Sequence, residues 1–94
     1  MTAPVFVEDD RKGPLEFAGV PLGRVSSEGR AIGWHTVLEA WRTSEGRFVL
    51  SRTTVRDGVP RFEWEVFSAR RDAQEWLGWG ALSMALYRAA GWPV

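Results

Sequence analysis

Residues 34–67 read WHTVLEAWRTSEGRFVLSRTTVRDGVPRFEWEVF, from Trp34 to Phe67, and this stretch decides the fold. Three runs, 34–42, 47–56 and 60–67, are rich in Trp, Phe, Val and Thr, the residues that suit a pleated, half-buried surface. Short turns separate them. Ser44-Glu45-Gly46 fits a three-residue hairpin loop with Gly46 left-handed, and Asp57-Gly58 is the preferred pair for a two-residue type I′ turn.

These turns set a register. With Thr43 opposite Arg47 and Arg56 opposite Val59, one sheet face collects His35, Val37, Glu39, Trp41, Val49, Ser51, Thr53, Val55, Phe62, Trp64 and Val66. The other face carries Trp34, Leu38, Phe48, Leu50 and Phe67 towards one end, with Arg52, Arg56, Arg61, Glu63 and Glu65 towards the Asp57-Gly58 turn. The Trp41–Trp64 face is the expected core face.

Beyond residue 67 the period changes. Ser68 is a candidate N-cap, Asp72 lies where the helix dipole favours a carboxylate, and Gly91 with Pro93 ends the segment, so one helix is expected over 69–90. Ala73, Trp76, Leu77, Gly80, Met84 and Tyr87 form an apolar stripe that is expected to cover the core face, with Gly80 admitting a sheet aromatic such as Trp64.

Upstream, residues 15–25 carry Gly19-Val20-Pro21-Leu22 and read as a short hairpin or two edge strands, and residues 26–33 as a polar loop. Residues 1–14, with two prolines and the acidic run Glu8-Asp9-Asp10, read as a flexible N-terminal arm or a short edge strand. The fold class is therefore α+β: an antiparallel meander of four to five strands and one C-terminal helix packed on one sheet face, in a single domain over 15–94.

The composition supports one core. The 94 residues are 45% apolar and 26% charged, within the globular range. The absence of cysteine excludes disulfides, thiolate metal sites and cysteine nucleophiles, and suits a reducing compartment, so a cytoplasmic location is expected. The N-terminus lacks a basic segment followed by an apolar one, and the most apolar stretch, 76–90, is broken by Gly78, Gly80, Ser83 and Arg88, short of the ~20 residues of a membrane span.

Chemistry-bearing motifs are sparse, and no catalytic residue, metal site or cofactor is expected. His35 is the single histidine, and Glu39 on the same strand face lies ~13 Å away, too far to share a common ion. Glu63 and Glu65 share a face but are flanked by arginines, which makes them ion-pair partners rather than an acid–base pair. The glycine-rich stretch 19–23 matches no phosphate loop.

Two leftover surfaces carry the functional expectations. Trp79, Leu82, Leu86 and Ala89 line up on the far side of the predicted helix, and leaving the three large ones wet forgoes roughly 1.5–3 kcal/mol each. Either the N-terminal arm, through Val5, Phe6, Leu15 and Phe17, covers that stripe or a second subunit or partner does. The expectation is a partner: a non-enzymatic, self-associating protein-interaction domain, a homodimer in its simplest form. The alternative is single-stranded nucleic-acid binding, with Trp34 and Phe48 stacking bases while Arg42, Arg52, Arg56 and Arg61 hold phosphates. Twelve basic against twelve acidic residues give no net charge, which counts against that alternative.

Phe17-Ala18-Gly19-Val20-Pro21-Leu22-Gly23, followed by Trp41-Arg42-Thr43-Ser44-Glu45-Gly46-Arg47-Phe48-Val49, resembles the F-x-G-x-x-L-G stretch and R-T-x-x-G-[KR]-[YF]-V hairpin of small bacterial EXLDI-type proteins. The resemblance covers about half the chain, lacks that family's name-giving C-terminal motif and implies no activity. In topology alone, four antiparallel strands and a helix also resemble the unit of PUR-repeat and whirly-type single-strand binders, which work as dimers; topology does not carry function.

Overall fold

The computed structural model describes residues 2–27 and 33–94. Five strands, β1 (Ala3–Val7), β2 (Leu15–Ser26), β3 (Trp34–Thr43), β4 (Phe48–Arg56) and β5 (Val59–Phe67), form one antiparallel sheet in sequence order. Helices α1 (Arg70–Leu77) and α2 (Ala81–Ala90) follow. The turn chemistry fixed the register as the sequence demands: Asp57 and Gly58 take positive φ of 52° and 79°, Gly46 takes 81°, and Trp41 pairs with Val49 while Arg56 pairs with Val59.

The first third of the chain is more regular than its glycines and prolines suggest. The stretch expected to turn at 19–22 runs on as one strand, β2, with a bulge between Pro21 and Gly23 that absorbs the irregular residues. Its first half pairs with β1 and its second half with β3. Of the two readings open for residues 1–14, an edge strand forms over Ala3–Val7. Residues 28–32 of the expected polar loop lie outside the described residues.

After β1 the chain crosses to the opposite edge of the sheet. Asp10 N–H donates to Phe62 O at 3.0 Å, and the carboxylates of Asp10 and Asp9 accept the N–H groups of Phe62 and Trp64 at 3.2 Å each. The Trp64 indole N–H donates to Gly13 O at 2.8 Å. These bonds join β5 to the segment leaving β1, so the sheet curls and its concave face closes on itself. Val7 from one edge and Trp64 and Val66 from the other meet Trp41, Val49, Leu15 and Phe17 there, with Phe17 set edge-on to Trp41 at 5.8 Å.

The curl corrects the expected layering. The Trp41–Trp64 face is indeed apolar and buried, but the strands cover it themselves. The helices lie on the convex face, where Leu38, Ala40 and Leu50 meet Ala73, Leu77, Leu86 and Tyr87. One helix was expected and two are present. Gly78, at φ 90° and ψ −167°, stops α1 in a conformation suited to glycine, and Gly80 starts α2 from extended backbone. The Tyr87 hydroxyl, fully buried, sits 3.0 Å from Gln74 O and 2.5 Å from Gly78 O, tying the second helix to the end of the first. Close approach of helix to sheet occurs at Gly23, where an added Cβ would stand 3.2 Å from Ala89 Cβ; a Cβ on Gly80 would meet nothing within 4 Å.

Candidate functional site

The stripe expected to bind a partner is divided by the break between the helices. Leu86 is fully buried beneath α2, and Leu82 packs half-buried at the edge of the same core. The monomer's own sheet covers them, not the N-terminal arm, and Leu86 is withdrawn from any interface. Trp79 remains 56% exposed, edge-on to Tyr87 at 5.5 Å, and Ala89 is exposed above Gly23.

The residues proposed to face nucleic acid all lie on the convex face, as their register requires, but the helices split them. Phe48 is half-buried under the C-terminal Trp92, edge-on at 5.6 Å, with the Arg42 guanidinium 5.9 Å from its ring. Beyond the helices, Trp34 is 46% exposed and Arg56 lies over its ring at 5.1 Å. Arg52 is committed: it pairs with Glu63 through two hydrogen bonds of 3.1 and 2.9 Å and lies 5.1 Å from the Trp76 ring. Arg61, paired in register with Thr54, is exposed.

Two further surfaces went unnoticed in the sequence. On the convex side of the first two strands, Pro4 faces Ala18 across the pair, Phe6 is 68% exposed and Val20 is 37% exposed, which makes an apolar strip that neither helix reaches. Along the seam, a groove of about 530 Å³ runs between the 9–12 segment, the convex side of β5 and Trp76. One signal for this groove was local: Asp9-Asp10-Arg11-Lys12-Gly13 suits an Asx turn ending in glycine, and Asp9 Oδ1 accepts the N–H groups of Arg11 and Lys12 at 2.8 Å each, with Gly13 at φ 82°. These N–H bonds, that of Lys12 foremost, hold the Asp9 carboxyl below the usual carboxylate range. The Lys12 ammonium caps the seam, contacting Trp64 O and Glu65 and lying 4.2 Å from the Trp64 ring.

The strand edges differ in exposure. Pro60 has no N–H to offer, and the backbone groups of Phe62 and Trp64 that point off the sheet are taken by residues 9–12, so the 60–64 stretch of β5 is closed to an added strand. Among the described residues no three metal-ligating side chains converge, and no buried polar side-chain atom lacks a partner. No described helix is long and apolar enough to cross a membrane. No family model matches the chain, and no curated protein or solved structure matches it either.

Proposed function

We propose that the chain is a non-enzymatic protein-interaction domain of the cytoplasm that self-associates through the convex face of β1 and β2. The observation that carries this reading is the Pro4, Phe6, Ala18 and Val20 strip: four exposed apolar residues on one face of β1 and the first half of β2, with Pro4 opposite Ala18, Phe6 opposite the exposed Glu16 and Val20 beside Arg42, on the part of the sheet that the helices leave bare. A bare apolar strip beside an edge strand favours a second apolar surface, and a second copy supplies the same strip. Sedimentation equilibrium tests it. The wild type should be dimeric at micromolar concentration, and Phe6→Glu with Val20→Glu should be monomeric with little change in melting temperature, because Phe6 is 68% and Val20 37% exposed and neither belongs to a core cluster. A wild-type monomer would overturn the reading.

The second reading, single-strand binding, draws support from Arg56 lying over exposed Trp34 with Arg61 nearby on the same face. It predicts an affinity that falls by ~0.7 logarithmic units per phosphate neutralised for each tenfold rise in salt. It also predicts a loss of ~1–3 kcal/mol in Trp34→Ala. No measurable binding of a mixed single strand at ~0.1 M salt leaves self-association as the function.

A further inference from the structure

We infer that the seam groove is a binding site for a small anion, a carboxylate or phosphate monoester carrying a flat apolar group, with Arg61 and Arg11 as its anion receptors. The inference is independent of the self-association surface and follows from counting which charges in the groove are already spent. Asp9 is held by three backbone N–H groups and its side chain is only 8% exposed. Asp10 accepts Phe62 N–H. Glu63 is taken by Arg52 in a two-bond pair, and Glu65 by Lys12, which also caps Trp64 O. Every carboxylate lining the groove therefore has an internal partner.

The cations are not matched in the same way. Arg11 and Arg61 line the groove, and among the described residues neither guanidinium has a carboxylate within 4.0 Å or an aromatic ring beneath it. An uncommitted guanidinium offers a planar fork of donors that suits a carboxylate or phosphate, and the half-buried Trp76 walls the groove with an apolar surface. Both sides of the charge account limit the ligand. Asp9, Asp10, Glu63 and Glu65 balance Arg11, Lys12, Arg61 and the Arg52 that serves Glu63, so the site as a whole has no net charge to attract a polyanion. It suits a small anion of one or two charges with an aromatic or similarly flat body. The volume, about 530 Å³, is within the range of small-ligand clefts.

The test is an amide and indole chemical-shift titration of the full chain with benzoate and, separately, phenyl phosphate, the two arms distinguishing a carboxylate from a phosphate preference. Saturable shifts confined to Arg11, Arg61 and the Trp76 indole are expected, with a Kd of about a millimolar. Arg61→Gln and Arg11→Gln should each weaken the preferred probe about tenfold while the remaining spectrum stays in place, and Arg56→Gln should leave it unchanged. No saturable shift up to ~10 mM of either probe overturns the inference. So does an affinity unchanged from the wild type in both arginine variants, or a response centred on Trp34 and Arg56.

Discussion

Val49 and Leu50 are neighbours on β4, each almost without exposure at 1% and 0%, yet they belong to two different cores. Val49 points into the curl, where the strands and the 9–13 segment close over Trp41 and Trp64, with rims of half-buried rings. Leu50 points outward, where two helices seal it together with Ala40, Ala73, Leu86 and Tyr87, all at 0% exposure. Helices shed water from a sheet face more completely than the sheet can by curling on itself. The curl, however, ends in polar seams, and the groove with its uncommitted arginines is one of them. In this small domain the dry core gives stability and the wetter one brings the polar groups to the surface.

The largest effects should fall on the helical side. Tyr87→Ala should cost about 3–5 kcal/mol, since it opens a fully enclosed cavity and strips the Gln74 and Gly78 carbonyls of their donor. Leu50→Ala should cost about 2–5 kcal/mol against roughly 2 kcal/mol for Val49→Ala. Urea unfolding gives these values directly. A Val49→Ala loss that exceeds the Leu50→Ala loss would reverse the ranking of the two cores.

The seam sharpens the comparison next, because Trp64 and Trp76 are both half-buried but lie on opposite faces of the sheet. Trp64→Ala should cost about 3 kcal/mol, losing its contacts in the curl, its indole bond to Gly13 and its support of Lys12. Trp76→Ala, at the rim over Phe67 and Arg52, should cost about 1–2 kcal/mol. Equal losses would place both rings in a single core.

Acid should loosen the same seam. Because the folded Asp9 carboxyl titrates below its ordinary range, its contribution is present above the unfolded pKa of ~3.9 and lost as pH falls through the lower folded value. Melting temperature measured from pH ~6 downwards should therefore fall more steeply for the wild type than for Asp9→Asn, which has no such carboxyl to protonate. Parallel slopes would show that the loop carboxylate does not hold the seam.

What was legible in the sequence was local. Asp57-Gly58 and Gly46 fixed the pairing of β3 with β4 and of β4 with β5, and the period of two then sorted every side chain to its face. Which face the helices take was not legible, since both faces are apolar and the choice depends on contacts between residues about fifty positions apart, such as Asp9 with Trp64. A carboxylate that accepts backbone N–H groups leaves no hydrophobic pattern. The predicted partner stripe differs for a related reason: the break at Gly78 leaves Trp79 outside α2, and the side of α2 that carries Leu82 and Leu86 is the one laid on the convex face of the sheet, which buries Leu86. Arg61 and Arg56 were placed on the correct face from register alone, whereas Arg11 and the groove depend on where the first loop lands.

The smallest effects concern that break, which decides how the dry core is sealed. Gly78 has a φ of 90° that an L side chain adopts only with strain, so Gly78→Ala should destabilise by about 1 kcal/mol even though an added Cβ would meet nothing within 4 Å. Gly80 differs. It is the N-cap of α2 at φ −66° and ψ 169°, conformations any residue accepts, and no side chain caps the helix. Gly80→Ser adds a hydroxyl able to accept the free N–H of Leu82 or Ser83 and should stabilise by a few tenths of a kcal/mol, whereas Gly80→Ala adds no acceptor and should fall short of serine by about 1 kcal/mol. Thermal unfolding of the three variants side by side resolves the order. A stabilising Gly78→Ala would mean that a continuous helix over 70–90 competes with the broken one, and Leu86 would then be free to leave the core that Tyr87 and Leu50 share with it.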